Sequence, residues 1–200
     1  MNNKTKNILI AVLLIGIISM SIVYASLSQT LNINGSATVQ SKSETWNVHF
    51  TRVTSGNEVV ISNYATSESN TLTFDGTSTT VTLPLVTLKA PGDSVTFYFD
   101  VINEGDVTAK LTTINQISIP VGSYGSGETL STTDKTTLQN SITGTLTLAD
   151  GTALTTGTTL AKGERMNLKV TITFLSSCTV LPSTDYSISN ITASLIFTQN

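Results

Sequence analysis

The stretch SVTFYFDVINEG, residues 94–105, decides the fold class of this chain. Every second residue from Val95 to Val101 is apolar, while Tyr98 and Asp100 fall on the other side. A period of two is the pattern of a β-strand with one face on the core and the other toward solvent. The stretch then ends in Asn-Glu-Gly, a composition typical of turns. It therefore predicts a long strand that is followed by a tight turn.

A similar alternation recurs along the chain, between turns that contain Gly, Pro, Asp or Asn. The clearest further segments are residues 45–53, 107–120, 166–174 and 190–199, and weaker ones are residues 57–65 and 78–88. Pro84 cannot donate a ladder hydrogen bond, so we expect the segment around it at a sheet edge or at a bulge. The pair Asp150–Gly151 predicts a two-residue β-hairpin.

One segment, STTDKTTLQNSI at residues 131–142, carries a helical signal. Ser131 is a suitable N-cap, and Leu138 and Ile142 are spaced by one helical turn. The segment is short and rich in Thr, which is a weak helix former. We expect at most one short helix in a chain that is otherwise built from strands.

The composition agrees with an all-β protein. The chain has 200 residues, a net charge of −3 and only 12% charged residues, roughly half of the usual share. A hydrophobic content of 39% and only 4 prolines argue against a disordered Ser/Thr-rich stalk. We therefore predict an antiparallel β-sandwich of the Ig-like or jelly-roll type. Lys and Arg are few and scattered, so no nucleic acid is predicted as a partner.

The first residues have the pattern of an export signal. Lys4 and Lys6 precede an uncharged apolar run at residues 8–25. Val23 at position −3 and Ala25 at position −1 suit signal peptidase, which would leave Ser26 as the first residue of the mature protein.

The alternative to cleavage is a retained hydrophobic anchor helix in the membrane. Either way the rest of the chain is exported, so we predict a secreted or cell-surface protein. The expected organisation is a signal peptide or anchor at residues 1–25, an N-terminal strand at 26–41 and a β-sandwich domain at 42–200.

The stretch SQTLNINGSATVQ, residues 28–40, follows the predicted cleavage site and also alternates. The predicted inward residues, together with the apolar residue just before the stretch, are Leu27, Leu31, Ile33, Gly35, Ala37 and Val39. No charge lies between Ser26 and Ser41, so this strand can be paired on both edges and buried on one face. Two readings remain open: it is the first strand of its own domain, or it is donated to a neighbouring molecule.

The sequence offers little for catalysis, and no catalytic residue, metal ligand or cofactor is predicted. His49 and Cys178 are the single His and the single Cys, so no intramolecular disulfide and no His-Glu-x-x-His motif exist. His49 is expected to face outward on a strand. Cys178 is expected to be buried, with an intersubunit link as the alternative.

Four acidic residues cluster in sequence around one predicted turn: Asp93, Asp100, Glu104 and Asp106. They favour turn residues that cap their own backbone, with a weak calcium site as the alternative. The turn around Gly92–Asp93 also has an echo at Gly163–Glu164, where Thr-Leu again precedes a Gly-acid pair and an alternating strand. We interpret this echo as similar turns that recur within one sandwich.

These motifs together resemble the TasA/camelysin family of exported fibre subunits of Gram-positive biofilm matrices. The residues that carry the resemblance are the uncharged apolar run that ends near YASLSQ, the second turn at Gly163–Glu164, and Leu88, Pro91, Gly92, Asp93, Asn103 and Gly105. The resemblance implies a jelly-roll-like sandwich whose N-terminal strand completes a neighbouring subunit. Camelysin is described as a metal-dependent protease, so the resemblance also brings that remote alternative.

The expected function is thus an exported structural protein, a subunit of an extracellular fibre or biofilm matrix that assembles with itself by donor-strand complementation. The alternative is a membrane-tethered, monomeric Ig-like surface domain that binds a ligand or a cell-wall polymer. On either reading we predict that the protein is not an enzyme.

Overall fold

The structure is a computed structural model that describes residues 29–33, 46–75, 79–184, 186–188 and 191–200. The strands within these residues are β1 (Gln29–Ile33), β2 (Val48–Thr51), β3 (Val59–Ser62), β4 (Thr66–Ser67), β5 (Thr73–Phe74), β6 (Thr80–Thr82), β7 (Val86–Thr87), β8 (Ser94–Asn103), β9 (Ala109–Ser118), β10 (Ser123–Tyr124), β11 (Ile142–Leu148), β12 (Thr159–Leu160), β13 (Arg165–Phe174), β14 (Tyr186–Ser187) and β15 (Thr192–Gln199). The helix α1 spans Thr132–Asn140.

Most of these strands belong to two sheets. Sheet A has the order β12-β9-β15-β1-β6-β5, and sheet B has the order β11-β13-β8-β2, with β3 also paired to β8. Buried side chains from both sheets form one hydrophobic core, among them Phe50, Phe97, Leu111 and Phe197. The protein is mostly β with antiparallel sheets, as the sequence predicts. Among the described pairings one departs from this rule, because β1 runs parallel to β6.

The two longest strands of sheet B, β8 and β13, pair antiparallel along their whole length. The predicted inward residues of β13 are all buried: Met166, Leu168, Val170, Ile172 and Phe174. In β8 the second half is buried on both faces. Asp100 lies on the outward row, as predicted, but it is 0% exposed because β13 side chains cover it. Asn167 Nδ2 donates to Asp100 Oδ1 at 2.7 Å, and Arg165 Nη1 lies 3.2 Å from Oδ2.

The turns that enter β8 and β13 have the same geometry, and each caps the end of the other strand. Gly92 (φ 95°) and Gly163 (φ 79°) both adopt the left-handed conformation that favours glycine. Gly92 N–H donates to Phe174 O at 2.7 Å, and Gly163 N–H donates to Asn103 O at 2.6 Å. Since β8 and β13 are neighbours in one sheet, the prediction of similar turns within one sandwich is confirmed.

Two local predictions about strands need correction. Asp150–Gly151 forms a tight turn in which Gly151 N–H donates to Leu148 O at 2.9 Å, but no hairpin follows. The next strand, β12, pairs with β9 in sheet A instead, so the chain crosses from one sheet to the other. Pro84 does not bulge a single strand, although β7 after it is an edge strand of a two-stranded sheet with β4. It lies between β6 and β7, which belong to different sheets.

The predicted helix is present. Ser131 is its N-cap, and the Ser131 hydroxyl accepts a hydrogen bond from Asp134 N–H at 3.1 Å. Leu138 is the buried residue of the helix, and Ile142, one turn further, starts β11 and is also buried. The helix therefore attaches to the core through the apolar pair that the sequence pattern predicts.

Candidate site for strand exchange

The strand β1 lies in the interior of sheet A, between β15 and β6. It pairs antiparallel with β15 over five residues, from Gln29 opposite Phe197 to Ile33 opposite Ala193. On its other edge it pairs parallel with β6, where Ile33 lies opposite Val81. The predicted N-terminal strand is thus joined to the chain's own sheet on both edges.

The register places β1 in a row of buried partners. Phe197, Leu195 and Ala193 are 0%, 0% and 5% exposed, and they lie opposite positions 29, 31 and 33. Directly opposite residues of an antiparallel pair share one face of the sheet. By backbone register, positions 31 and 33 therefore belong to the same row as Leu195 and Ala193, and the burial of Leu31 and Ile33 stays a prediction.

The other predicted residues of this region lie outside the described residues. They are the cleavage residues Val23, Ala25 and Ser26 and the predicted donor-strand residues Leu27, Gly35, Ala37 and Val39. Export, cleavage and burial of these residues stay predictions. In the part of the chain that the structure describes, no helix is long and apolar enough to span a membrane.

The strand β1 joins two groups of strands in sheet A. On one side β15 is followed by β9 and β12, and on the other side β6 is followed by β5. Removal of β1 from the sheet would leave one edge of β15 and one edge of β6 without a ladder partner. The pattern of the sequence does not reveal β5, because a strand of two residues is too short to show a period. The strand β6 lies within the weaker segment predicted around Pro84.

A second feature missed by the sequence pattern anchors the chain just before β5. Arg52 Nη2 donates to Leu72 O at 3.1 Å, and Leu72 N–H donates to Glu58 Oε2 at 2.7 Å. Arg52 Nη1 pairs with Glu58 Oε1 at 2.5 Å, and its guanidinium lies 5.4 Å from the Phe74 ring centroid. These contacts, which we call the Leu72 clamp, attach the start of β5 to the connection between β2 and β3.

Asp93, in the turn before β8, accepts hydrogen bonds from nearby backbone groups. Asp93 is 0% exposed and accepts hydrogen bonds from three backbone amides: Tyr64 N–H at 3.0 Å, Lys89 N–H at 2.7 Å and Ala90 N–H at 3.0 Å. This is the capping role that the sequence favours, and it leaves the carboxylate fully used by the protein backbone.

The remaining members of the predicted acidic cluster each contact a different partner. Asp100 is held by the β13 side chains described above, Asp106 pairs with Lys162 at 2.5 Å, and Glu104 Oε2 lies 3.8 Å from His49 Nε2. No group of three or more His, Cys, Asp or Glu side chains suited to a metal ion occurs among the described residues.

The single His and the single Cys are also placed by the structure. His49 alternates with the buried Val48 and Phe50 on β2, and its Nδ1 lies 3.1 Å from Asn47 Oδ1. Burial lowers the pKa of His49, and the nearby Glu104 only partly offsets this effect. Cys178 is buried, as predicted, and its Sγ donates to Val180 O at 3.3 Å.

Two further features lie away from β1: the hydrogen-bonded carboxylate of Glu128 and a groove beside β13. Glu128 accepts hydrogen bonds from Leu130, Ser183 and Thr184, and these outweigh desolvation and lower the pKa of Glu128 to about 2. A groove of about 640 Å³ runs between residues 148–160 and the start of β13. Threonine and aliphatic side chains make up most of its lining, and none of the lining residues is aromatic.

Comparisons of this chain with protein-family models, with curated proteins and with solved structures give no match. The fold and the site therefore define only the class of protein to which the chain belongs. The chain is an all-β protein whose N-terminal strand occupies an interior position of a sheet.

Proposed function

We propose that this protein is an exported structural subunit that assembles into a fibre or matrix by exchange of β1, on a sandwich of the Ig-like or jelly-roll type. The observation that carries the proposal is the place of β1, which is paired on both edges and runs parallel to β6 in sheets that are otherwise antiparallel. Two parallel strands cannot be joined by a hairpin. The strand β1 therefore comes to its position between β15 and β6 from a separate part of the chain.

The same pairing can form between two molecules. Exchange of an identical element between protomers keeps every contact and changes only which chain supplies the element. β1 is suited to this role because it follows the predicted cleavage site, and the sequence from Ser26 to Ser41 is uncharged. One donated strand per molecule gives a head-to-tail contact, which produces an open polymer when the rotation does not close.

The second candidate is a monomeric surface domain that keeps β1 in its own sheet and is tethered by an uncleaved N-terminal segment. The pairing of β1 with β15 within a single chain favours this reading. The two candidates share one sheet and differ in whether the strand is exchanged. No observation among the described residues favours the metalloprotease alternative.

The test uses the exported chain with Leu31→Asp, because position 31 lies on the inward row opposite the buried Leu195. The matched control is Asn32→Asp, which adds the same charge on the outward row of the same strand. Electron microscopy should show filaments for the wild type and for Asn32→Asp, and discrete particles for Leu31→Asp. Mass spectrometry of the wild type should show Ser26 as the first residue.

Filaments from Leu31→Asp as abundant as those of the wild type would refute exchange of β1. Discrete particles from the wild type, with an intact Met1, would favour the tethered monomer instead.

A further inference from the structure

We propose that the free edge of β3 is a self-association surface, on which β3 of a second copy of this chain pairs antiparallel. The contact joins sheet B of one molecule to sheet B of the other. It lies on the sheet that does not contain β1, so it goes beyond the proposed function and does not depend on it. The open backbone groups of β3, its exposed apolar side chains and its register support this contact.

One edge of β3 is unpaired in the part of the chain that the structure describes. Tyr98 N–H donates to Glu58 O at 2.8 Å, and the register continues from this pair, so β8 bonds the even-numbered residues of β3. The N–H and C=O groups of Val59 and Ile61 therefore point to the open edge. Neither residue has a hydrogen-bond partner there among the described residues.

The opposite edge of sheet B, on β11, is capped. Leu146 N–H donates to Gln116 Oε1 at 3.3 Å, and Leu148 N–H donates to Thr152 O at 2.9 Å. Folded proteins cap or charge their exposed edges, because open ladder groups are a template for another strand. Among the described residues the edge of β3 has no such cap, and no charged residue occurs at positions 59–67. The fold thus leaves β3 able to take a further strand.

The side chains of β3 leave apolar surface uncovered at the same edge. Val59 and Ile61 share the inward row of the sheet, since they alternate with Val60. Val59 is 6% exposed, whereas Ile61 is 40% exposed although it lies opposite the buried Val95. Val60, on the outward row, is 44% exposed. A strand that is added to this edge covers both Ile61 and Val60, so the burial of apolar surface favours its addition.

A second copy of β3 fits this edge in a two-fold register. When Val60 lies opposite Val60 of the second copy, Val59 of each molecule lies opposite Ile61 of the other. The residues with open backbone groups then form the hydrogen-bonded pairs, and Val60 forms a non-hydrogen-bonded pair. Inward residues meet inward residues, so the two core rows become continuous. This self-complementary register favours a second copy over an unrelated strand, and such a contact closes at two molecules.

The size of the contact indicates a weak complex of single molecules. The strand β3 has 4 residues, and interfaces that bury less than about 1,200 Å² are typical of weak or transient complexes. In a fibre every subunit carries the same edge, so many such contacts act together and gain affinity through multivalency. This last step alone rests on the proposed function: pairing of β3 gives weak dimers of single molecules and lateral bundles of fibres.

The test is a disulfide across the two-fold axis, made with Val60→Cys in the Cys178→Ser background. Facing residues of a non-hydrogen-bonded pair have Cα atoms about 4.5 Å apart, which is within the range of a disulfide. The control is Val121→Cys in the same background, because Val121 is 81% exposed and lies outside the strands. Both thiols are also titrated with a small alkylating reagent, so that the rates of dimer formation are compared at equal thiol reactivity.

We expect the Val60→Cys chain to form disulfide-linked dimers about ten-fold faster than the Val121→Cys chain, because pairing holds its two thiols together. Ile61→Lys, added to Val60→Cys, places a charge on the inward row of the edge and should lower the rate about ten-fold. Val121→Lys, added instead, should leave the rate unchanged. Equal rates for the two single-cysteine chains would overturn the pairing, and so would a rate that Ile61→Lys does not change.

A second measurement uses the wild-type chain and residue-resolved hydrogen exchange. The amides of Val60 and Ser62 bond to β8 and should be protected at every protein concentration. The amides of Val59 and Ile61 should gain protection as the concentration rises. Protection of Val59 and Ile61 that does not change with concentration would overturn self-pairing, as would protection that arises only when a different protein is added.

Filament formation reports separately on the proposed function. Filaments from a chain whose β3 edge does not cross-link would refute the pairing of β3 alone. Cross-linked dimers from a chain that forms no filaments would refute the fibre alone.

Discussion

At the scale of single residues, the buried polar side chains of this protein organise turns. Asn103 is 0% exposed, and its Nδ2 donates to Val107 O and to Leu160 O, both at 2.8 Å. Its Oδ1 accepts a hydrogen bond from Gly105 N–H at 3.0 Å. Asn103 and Asp93 belong to the motifs that carry the family resemblance. Their hydrogen bonds to backbone groups show that these motifs hold turns in place in this chain.

Replacement of Asp93 tests this role. Asp93→Ala leaves three partly buried backbone N–H groups without their charged acceptor, so the free energy of unfolding should fall by about 3 kcal/mol. Urea unfolding of the exported chain measures the change. Asp106→Ala removes only an exposed ion pair with Lys162 and should cost at most about 1 kcal/mol. Equal effects of the two substitutions would contradict the turn-organising role of Asp93.

Protonation of His49 should lower stability. Burial lowers the pKa of His49 below the ordinary value of 6.5, while the charge of Glu104 raises this pKa and that of Arg165 lowers it further. Well above pH 6.5 His49 is neutral in both states, so it adds no pH dependence there. As the pH falls below this value the unfolded chain binds the proton first, and folding stability declines until the folded pKa is passed.

The check compares unfolding free energies of the wild type and His49→Asn between pH 7.5 and 5, a range chosen to span about one unit on each side of an ordinary His pKa. The difference between the two proteins should change as the pH falls, with the wild type losing more. A constant difference across this range would show that burial does not govern the titration of His49.

At the scale of elements, the sequence predicts long strands well and their partners poorly. The alternation from Met166 to Phe174 identifies β13 and its buried face, because a period of two is a local property. The Asp150–Gly151 turn is also local, yet the strand after it joins the other sheet. Which strands become neighbours depends on tertiary packing, so the sheet order could not be predicted from the pattern, and the two-residue strand β5 was too short to show one.

At Gly144 the strand β11 lies close to side chains at the end of β9. A Cβ atom added at Gly144 would overlap Cγ2 of Ile117 and lie 3.2 Å from Cδ1 of Ile119. Overpacking of this kind costs about 1–3 kcal/mol, so we expect Gly144→Ala to lower the free energy of unfolding by this amount. Thermal and urea unfolding measure the loss.

A double-mutant cycle isolates the cause. Ile117→Ala removes the overlapping methyl group, so the pair Gly144→Ala and Ile117→Ala should be more stable than the sum of the single effects predicts. Strict additivity would mean that the loss at Gly144 does not come from this contact.

At the scale of the whole molecule, the sequence predicts a strand at the candidate site, and the structure has β1 there. The alternation of Leu31 and Ile33 predicts which face of this strand is turned to the core, and the register with β15 gives the residues that lie opposite it. The neighbours of this strand could not be predicted, since a period gives the face of a strand and not its partner. The sequence pattern also cannot predict whether β1 is exchanged between molecules, because a strand forms the same pairs in its own chain and in a neighbouring chain.

The central claim is that β1 of one molecule pairs with β15 of another, and a cross-link between chains tests it most directly. Leu31→Cys in one chain and Leu195→Cys in a second chain, both with Cys178→Ser, are unfolded together, refolded as a mixture and oxidised. Position 31 lies opposite position 195, and directly opposite residues are about 4.5–5.5 Å apart, within reach of a disulfide.

The control mixes Leu31→Cys with Phe197→Cys, which is opposite Gln29 and therefore out of register. Both target residues are fully buried, so chance collisions between surfaces do not link them. The account predicts a disulfide-linked dimer of the matched pair that is far more abundant than that of the shifted pair. A matched pair that yields no more dimer than the shifted pair would contradict strand exchange.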